Sequence, residues 1–451
     1  MTEGQLPGTE RISTVERIAS LDVLRGVAIL FILFMNIPEM GNYYFIVHDP
    51  RIPSWTNADS WSWWIQMTFM DGTQRGLLEL LFGAGILIMA RKAMEPDGPV
   101  AVADLHYRRN LYLCAFGLFN AFVLMWYGDI LVTYGLAAVF LFPFRAMKPK
   151  WLLAIGGVFL TVLLIYSYSG YREDVGNKAT YERVAAATAA HRPVTANDKK
   201  VAQEYREHVE RFVTPPLKHP EQLKKIRKVQ AAYASGFAGY WNVQFEQWQK
   251  LWSWFWVIEA EIVGTMLIGM ALFRWGIIQG LASTRTYLAL LVVGYGFGLT
   301  LRGETASLWA NNVADPLWQP VLYDWTRLAV TIGHLSLIQL ALRSAGGRRL
   351  LYPFRAAGKM PLTVYLFTSL LMMWFIFAPW GLGLFGRLGF AGLMGLAAGV
   401  VALELVAVNL WLQRFESGPL EWLWKSLAYG RRMAFRKPAE PEIPAGAVPA
   451  E

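Results

Sequence analysis

His48 is the side chain in this sequence best suited to proton transfer. It lies in the string Asn42-Tyr-Tyr-Phe-Ile-Val-His48-Asp49, with Asp49 adjacent and Asp59 further along. An imidazole near its ordinary pKa can serve as a general base at neutral pH, and a neighbouring carboxylate can fix its tautomer. An idle loop histidine is the plain alternative. Asp22 and Arg25 form a second pattern, an i, i+3 pair on one helix face at the entrance of the apolar run Val27 to Met35. Charges at that depth are costly unless they are paired, hydrated or turned inward. The pair either anchors the helix end by neutralising itself or belongs to a polar site.

Other polar groups sit in or beside apolar stretches: Asn36, Arg75, Glu79, Asp129, Glu259, Glu261, Arg327, His334 and Glu404. An ionisable residue inside a span is a functional candidate by default, although such groups also pair with one another to fix packing. Arg327 and His334 are a heptad apart and share a helix face, and His334 reads as a packed, hydrogen-bonded residue. Glu259 and Glu261 are two apart and cannot share a face, so at most one points into a cavity. No phosphate-binding loop, dinucleotide fingerprint or metal-ligand spacing is present, so no metal is expected. The glycines of Leu81-Phe-Gly-Ala-Gly85 and Gly294, Gly296 and Gly298 read as close-approach positions between helices.

The elements that carry these residues follow from composition. Of 451 residues 55% are hydrophobic and only 17% charged, and the apolar ones arrive in blocks long enough to span a bilayer. The expectation is an all-α polytopic membrane bundle of about ten spans, near 23–41, 73–91, 109–127, 129–146, 150–169, 251–273, 286–302, 323–342, 360–380 and 389–412. Residues 1–22 form a leader, 23–170 and 251–412 two membrane halves, and 413–451 a tail that is partly disordered, with Pro438, Pro441, Pro444 and Pro449. Residues 59–70, with Trp61, Trp63 and Trp64, read as an interfacial segment. Arg11, Arg17, Arg108, Arg109, Arg348 and Arg349 fall on one side, against Arg51, Arg75, Arg302 and Arg387 in the short loops of the other. The positive-inside rule then places both termini in the cytoplasm and the polar, helix-prone insertion 171–250 outside, either as a cap over a cavity or as a solvated insertion. The net charge of +9 is spread over helix ends rather than gathered into a patch, so no nucleic acid partner is expected. The single cysteine, Cys114, excludes an intrachain disulfide. The polar leader lacks a cleavage site, which makes the first span both signal and anchor.

Five ordered motifs carry a resemblance. Ser20-Leu-Asp22-Val-Leu-Arg25-Gly26 with Asn36-Ile37, Leu80-Leu-Phe-Gly83-Ala-Gly85, Gly128-Asp129-Ile-Leu, Gly358-Lys-Met-Pro-Leu-Thr363-Val-Tyr365, and Gly418-Pro419-Leu-Glu421-Trp422-Leu-Trp424-Lys425 resemble the YeiB-like family of bacterial inner-membrane proteins. Lys359 and Val364 depart from that pattern, which often has Arg and Asn there. The family is similar to a superfamily of membrane acyltransferases that includes the heparan-α-glucosaminide N-acetyltransferases, where a His in the first outer loop is implicated in transfer. The resemblance implies acyl-CoA, acetyl-CoA above all, as donor and an envelope glycan or lipid as acceptor. Asp22 and Arg25 would then serve donor binding, with Arg25 on the CoA phosphates. His48 with Asp49 or Asp59 would take the acceptor proton, and Asn36 or Arg75 would face the oxyanion. A transporter or lipid flippase using Glu79, Asp129, Glu259 or His334 is the competing class, and a non-catalytic structural partner the third. The lipid bilayer is a partner in every case, and a second copy of the chain is a further one to consider.

Overall fold

A chain crossing lipid must satisfy its backbone hydrogen bonds within the segment, and helices do this without leaving an edge. The computed structural model describes residues 14–43, 55–90, 100–213, 218–311 and 313–437. Among them the regular structure is helical, apart from an isolated bridge between Phe415 and Arg436. The helices are α1 (Thr14–Gly41), α2 (Asn57–Ile65), α3 (Thr73–Ala90), α4 (Val100–Phe122), α5 (Leu131–Leu141), α6 (Pro149–Ala189), α7 (Ala196–Val213), α8 (Pro220–Ala234) and α9 (Phe237–Trp252). They continue with α10 (Phe255–Arg274), α11 (Thr284–Ala310), α12 (Tyr323–Ala341), α13 (Ala345–Leu351), α14 (Phe354–Lys359), α15 (Pro361–Leu370), α16 (Phe390–Arg414) and α17 (Pro419–Tyr429).

Each of the ten expected spans falls on helical segments of the described residues. Six helical segments among the described residues are long and apolar enough to cross a bilayer, or seven if the pair Gln319–Ala341 and Ala345–Leu351, bent by 117°, is one span. Leu131–Ala146 and Pro361–Ile376 are apolar but short. The protein is an all-α polytopic membrane bundle.

The aromatic segment at 59–70 leads into the second span, as expected. It forms α2 and a π turn over Gln66–Met70, continuous with the second span. Trp63 is buried, the Trp64 Nε1 donates to Ser307 Oγ at 3.0 Å, and Trp61 alone of the three is exposed. After the π turn the chain breaks at Asp71-Gly72, where Gly72 adopts φ +69°. Carbonyls released by such a turn need donors inside the membrane. Arg302 supplies them to Met67 O (2.7 Å), Thr68 O (3.0 Å) and Asp71 O (2.7 Å). The expectation that Arg302 lies in an outer loop is therefore wrong: α11 runs on past it, and its guanidinium is buried against this turn. From α12, His334 Nε2 meets Phe69 O at 2.8 Å and Thr331 Oγ1 donates to Thr73 O at 3.2 Å.

Backbone contacts lock the bundle where glycines sit. A Cβ on Gly26 would overlap the Phe354 carbonyl, and one on Gly358 would overlap the Asp22 carbonyl, so α1 and α14 touch main chain to main chain. Next to this contact Glu421 binds the start of α15. Its Oε1 accepts from the amides of Leu362 (2.6 Å) and Thr363 (3.0 Å), and its Oε2 from the Thr363 hydroxyl (2.5 Å). A carboxylate satisfies orphan amides at a helix N-terminus and complements its dipole.

The polar insertion is helical, as expected, and begins inside the unbroken α6. Its last helices rest on the bundle: the Tyr240 hydroxyl donates to Met373 O at 2.9 Å, Trp241 Nε1 to Phe122 O at 3.1 Å, and Tyr233 stacks on Phe385 at 4.1 Å.

Candidate functional site

Four of the ionisable residues picked out from the sequence meet in one buried network. Arg327 Nη1 lies 3.0 Å from Glu79 Oε2, and Arg75 Nη2 reaches Glu261 Oε1 and Oε2 at 2.8 and 2.7 Å. Arg327 also pairs with Glu261 and donates to Thr265 Oγ1 at 2.9 Å, while Arg75 Nε is 3.7 Å from Glu79 Oε1. Two guanidinium groups and two carboxylates thus balance in charge, which is the condition for holding such groups in an apolar interior. Helices α3, α10 and α12 contribute them, so the network ties three elements together. Glu261, rather than Glu259, is the partner. The two point in different directions as their spacing requires, and Glu259 Oε2 is buried without a hydrogen-bond partner.

Arg75 also lines a cavity of about 210 Å³ at the last turns of α1. The polar wall includes Asn36, Glu39, Gln66, Asp71 and Asp129. The apolar lining includes Leu251, Trp252, Phe255, Ile258 and Ile262 at the junction of α9 and α10. The Tyr127 hydroxyl donates to Glu39 Oε2 at 2.7 Å, and Tyr134 donates to the Arg75 carbonyl at 3.0 Å. Asn36, Arg75 and Asp129 are therefore brought to one space, as a common polar site would require.

Other candidates are placed elsewhere. Asp59 accepts from Thr56 N and Oγ1, both at 2.8 Å, closing a capping box at the start of α2, and from Ala391 N at 2.8 Å at the start of α16. Its oxygens join two helix N-termini. Asp129 has a capping role as well as facing the cavity: Oδ1 accepts from Leu131 N (2.8 Å) and Val132 N (3.1 Å), and Oδ2 from Asn120 Nδ2 (2.8 Å). His334 is packed as expected. Its Nε2 must carry the proton, because Phe69 O can only accept, which leaves Nδ1 to accept from the Tyr295 hydroxyl at 2.7 Å when the ring is neutral. Glu404 Oε1 accepts from Thr368 Oγ1 at 2.6 Å. His48 and Asp49 lie outside the described residues.

At the other end of α1, Arg25 Nη1 is 3.8 Å from Asp22 Oδ1, and Arg355 Nε is 3.7 Å from Asp22 Oδ2. Lys359 lies within electrostatic range of Asp22, and Arg109 within range of Arg25. Arg109 stacks over Trp424 at 4.3 Å, with Nε buried and unpartnered. The expected pair is thus real but belongs to a larger cationic cluster. Ala28, Leu30 and Leu33, all fully buried, separate it from Asn36.

Sequence reasoning missed Arg302 and Glu421 as organising residues. Arg302 sat at a span boundary that hydropathy draws too early. Glu421 lay in a motif, but its target, the start of α15, is distant in sequence.

Residues 272–431 match the family described as "Protein of unknown function (DUF418)". The chain is 29% identical to the uncharacterised protein YxaH of Bacillus subtilis (strain 168), over 92% of this chain and 95% of the relative. It is 25% identical to the uncharacterised protein YeiB of Escherichia coli (strain K12), over 92% of this chain and 96% of the relative. The YeiB-like resemblance of the five motifs thus extends along nearly the whole chain. No solved structure matches.

Proposed function

We propose that the protein is a bacterial inner-membrane acyltransferase, with both termini cytoplasmic, that moves an acyl group from acyl-CoA to a hydroxyl or amine of an envelope glycan or lipid. The observation that carries the reading is the cavity at the end of α1. Glu39, in the last turns of α1, and Phe390, whose ring meets that of Trp55 at 5.5 Å, both line it. In sequence, Glu39 and Trp55 stand on either side of the segment that bears His48.

In this mechanism His48 accepts the proton of the acceptor O–H or N–H as that atom bonds to the thioester carbonyl carbon. Arg75 and Asn36 face the developing oxyanion, and Glu261 orients Arg75 by holding both of its carboxylate oxygens to Nη2. When the C–S bond breaks, His48 returns the proton to the leaving sulfur. The thioester supplies the activated acyl group. On the opposite face Arg25, Arg109, Arg355 and Lys359 suit the donor phosphates, since only Asp22 offsets them in the contacts described above. Their gathering on that face also supports the cytoplasmic assignment. A Cβ added at Gly85 would meet the Arg25 guanidinium alone, at 3.9 Å, so there is room for a methyl group beside it.

Transfer of labelled acetyl from acetyl-CoA by the purified protein, lost in His48→Ala, is the expected result. Normal turnover in that variant removes His48 from the mechanism. A transporter reading draws on the buried network of Arg75, Glu79, Glu261 and Arg327. Against it, Gly83 abuts the Met266 carbonyl and Gly269 the Leu80 carbonyl, which fixes α3 against α10 where sliding would be needed. Substrate flux into proteoliposomes without acyl-CoA would favour transport instead.

A further inference from the structure

The two walls of the cavity differ in a way that describes the acceptor. On the polar side Glu39, Asp71 and Asp129 present carboxylates. Each already takes a donor from the protein: Tyr127, Arg302 and the α5 amides, respectively. Arg75 is the cation on that wall, and Glu261 engages it at 2.7 Å. The wall is therefore rich in hydrogen-bond acceptors and weighted toward negative charge. It favours a hydroxyl-bearing, uncharged head and disfavours a phosphate. Trp252, half-buried, adds a flat apolar surface of the kind that meets the C–H face of a sugar ring.

The other wall points to a tail. Phe255, Ile258 and Ile262 lie at i, i+3 and i+7, one face of α10, and descend about 10 Å along it. Trp254 and Trp256, 53% and 80% exposed, flank the top of this wall and mark the level of the membrane interface. A ligand held between the walls has its head at the interface and its first methylenes against Phe255 and Ile258.

We propose that the acceptor is a membrane-anchored neutral glycolipid, its single sugar head in the cavity and its hydrocarbon tail directed along α10. This rests on the transferase reading but is tested without it, by binding alone. The full chain, purified in a detergent without a sugar head and placed in phosphatidylethanolamine nanodiscs, is titrated with tritiated dodecyl glucoside. Saturable binding is expected, weakened about tenfold in Trp252→Ala. Should that variant fail to fold, Trp252→Leu is expected to weaken binding while preserving the apolar wall. Free glucose in large excess should not displace the probe, and phosphatidylglycerol should compete poorly. Displacement by glucose alone overturns the tail, equal competition by phosphatidylglycerol overturns the head, and unaltered binding in the folded Trp252 variant overturns the site. Binding without any acyl transfer sinks the transferase reading and leaves the cavity standing as a glycolipid-binding site. Transfer to a water-soluble glycan alone does the reverse.

Discussion

Arg327 and Glu79 pair at 3.0 Å with both side chains wholly excluded from the surface. Neither residue has water to turn to, so each depends on the other and on Glu261 and Arg75 for charge balance. Removing one partner of a buried pair leaves an uncompensated charge, which costs about 3–5 kcal/mol. Glu79→Gln is therefore expected to lower thermal stability strongly, and Glu79→Gln with Arg327→Met to recover part of the loss. Melting of the detergent-solubilised variants checks this, and a double variant no better than the single one would show that the pair is not the source of the loss.

Gly26 and Gly358 should not tolerate alanine. At both positions the added methyl would overlap a carbonyl of the facing helix, and relief requires α1 and α14 to separate. A cost of about 1–3 kcal/mol is expected for each. Gly85→Ala, whose methyl meets only Arg25 at 3.9 Å, is the control and should melt close to the parent while weakening acyl-CoA binding.

Arg302→Leu removes the donor for Met67 O, Thr68 O and Asp71 O at the π turn. Each buried carbonyl left unmet costs about 1–3 kcal/mol. Because Met67 and Asp71 also line the cavity, dodecyl glucoside binding should fall with stability. Hydrogen exchange at residues 66–73 should rise in this variant, and unchanged protection there would contradict the role given to Arg302.

Glu421→Ala is expected to cost about 0.5–2 kcal/mol by exposing the amides at the start of α15. Its effect should stay local, with glycolipid binding retained, because Glu421 lies at the Asp22 end of the bundle. Loss of binding at unchanged stability would show that the two ends are coupled.

The membrane class and the helices under the apolar runs were legible because hydrocarbon demands long uncharged stretches. The fate of individual charges was less so. Glu259 and Glu261 occupy one apolar run, and only the packing of α10 against α3 and α12 decides that Glu261 meets Arg75 and Arg327. Asp59 read as a partner for His48, yet its oxygens close two helix starts, one of them contributed by the distant α16. The Asp22 and Arg25 pair was read correctly from its spacing. Its neighbours Arg355 and Lys359 come from α14, and no local pattern announces that Gly26 and Gly358 draw α14 against α1. The π turn at Gln66–Met70 was hidden inside a segment whose tryptophans resemble an interfacial belt.

Acyl transfer itself is measured most directly in proteoliposomes supplied with labelled acetyl-CoA and a membrane-anchored glycoside. The parent protein should label the glycoside, and the His48→Ala and Arg75→Met variants, if folded, should not. Absence of label on the glycoside and on every other envelope acceptor offered, from a folded parent protein that binds acetyl-CoA, would contradict the transferase reading.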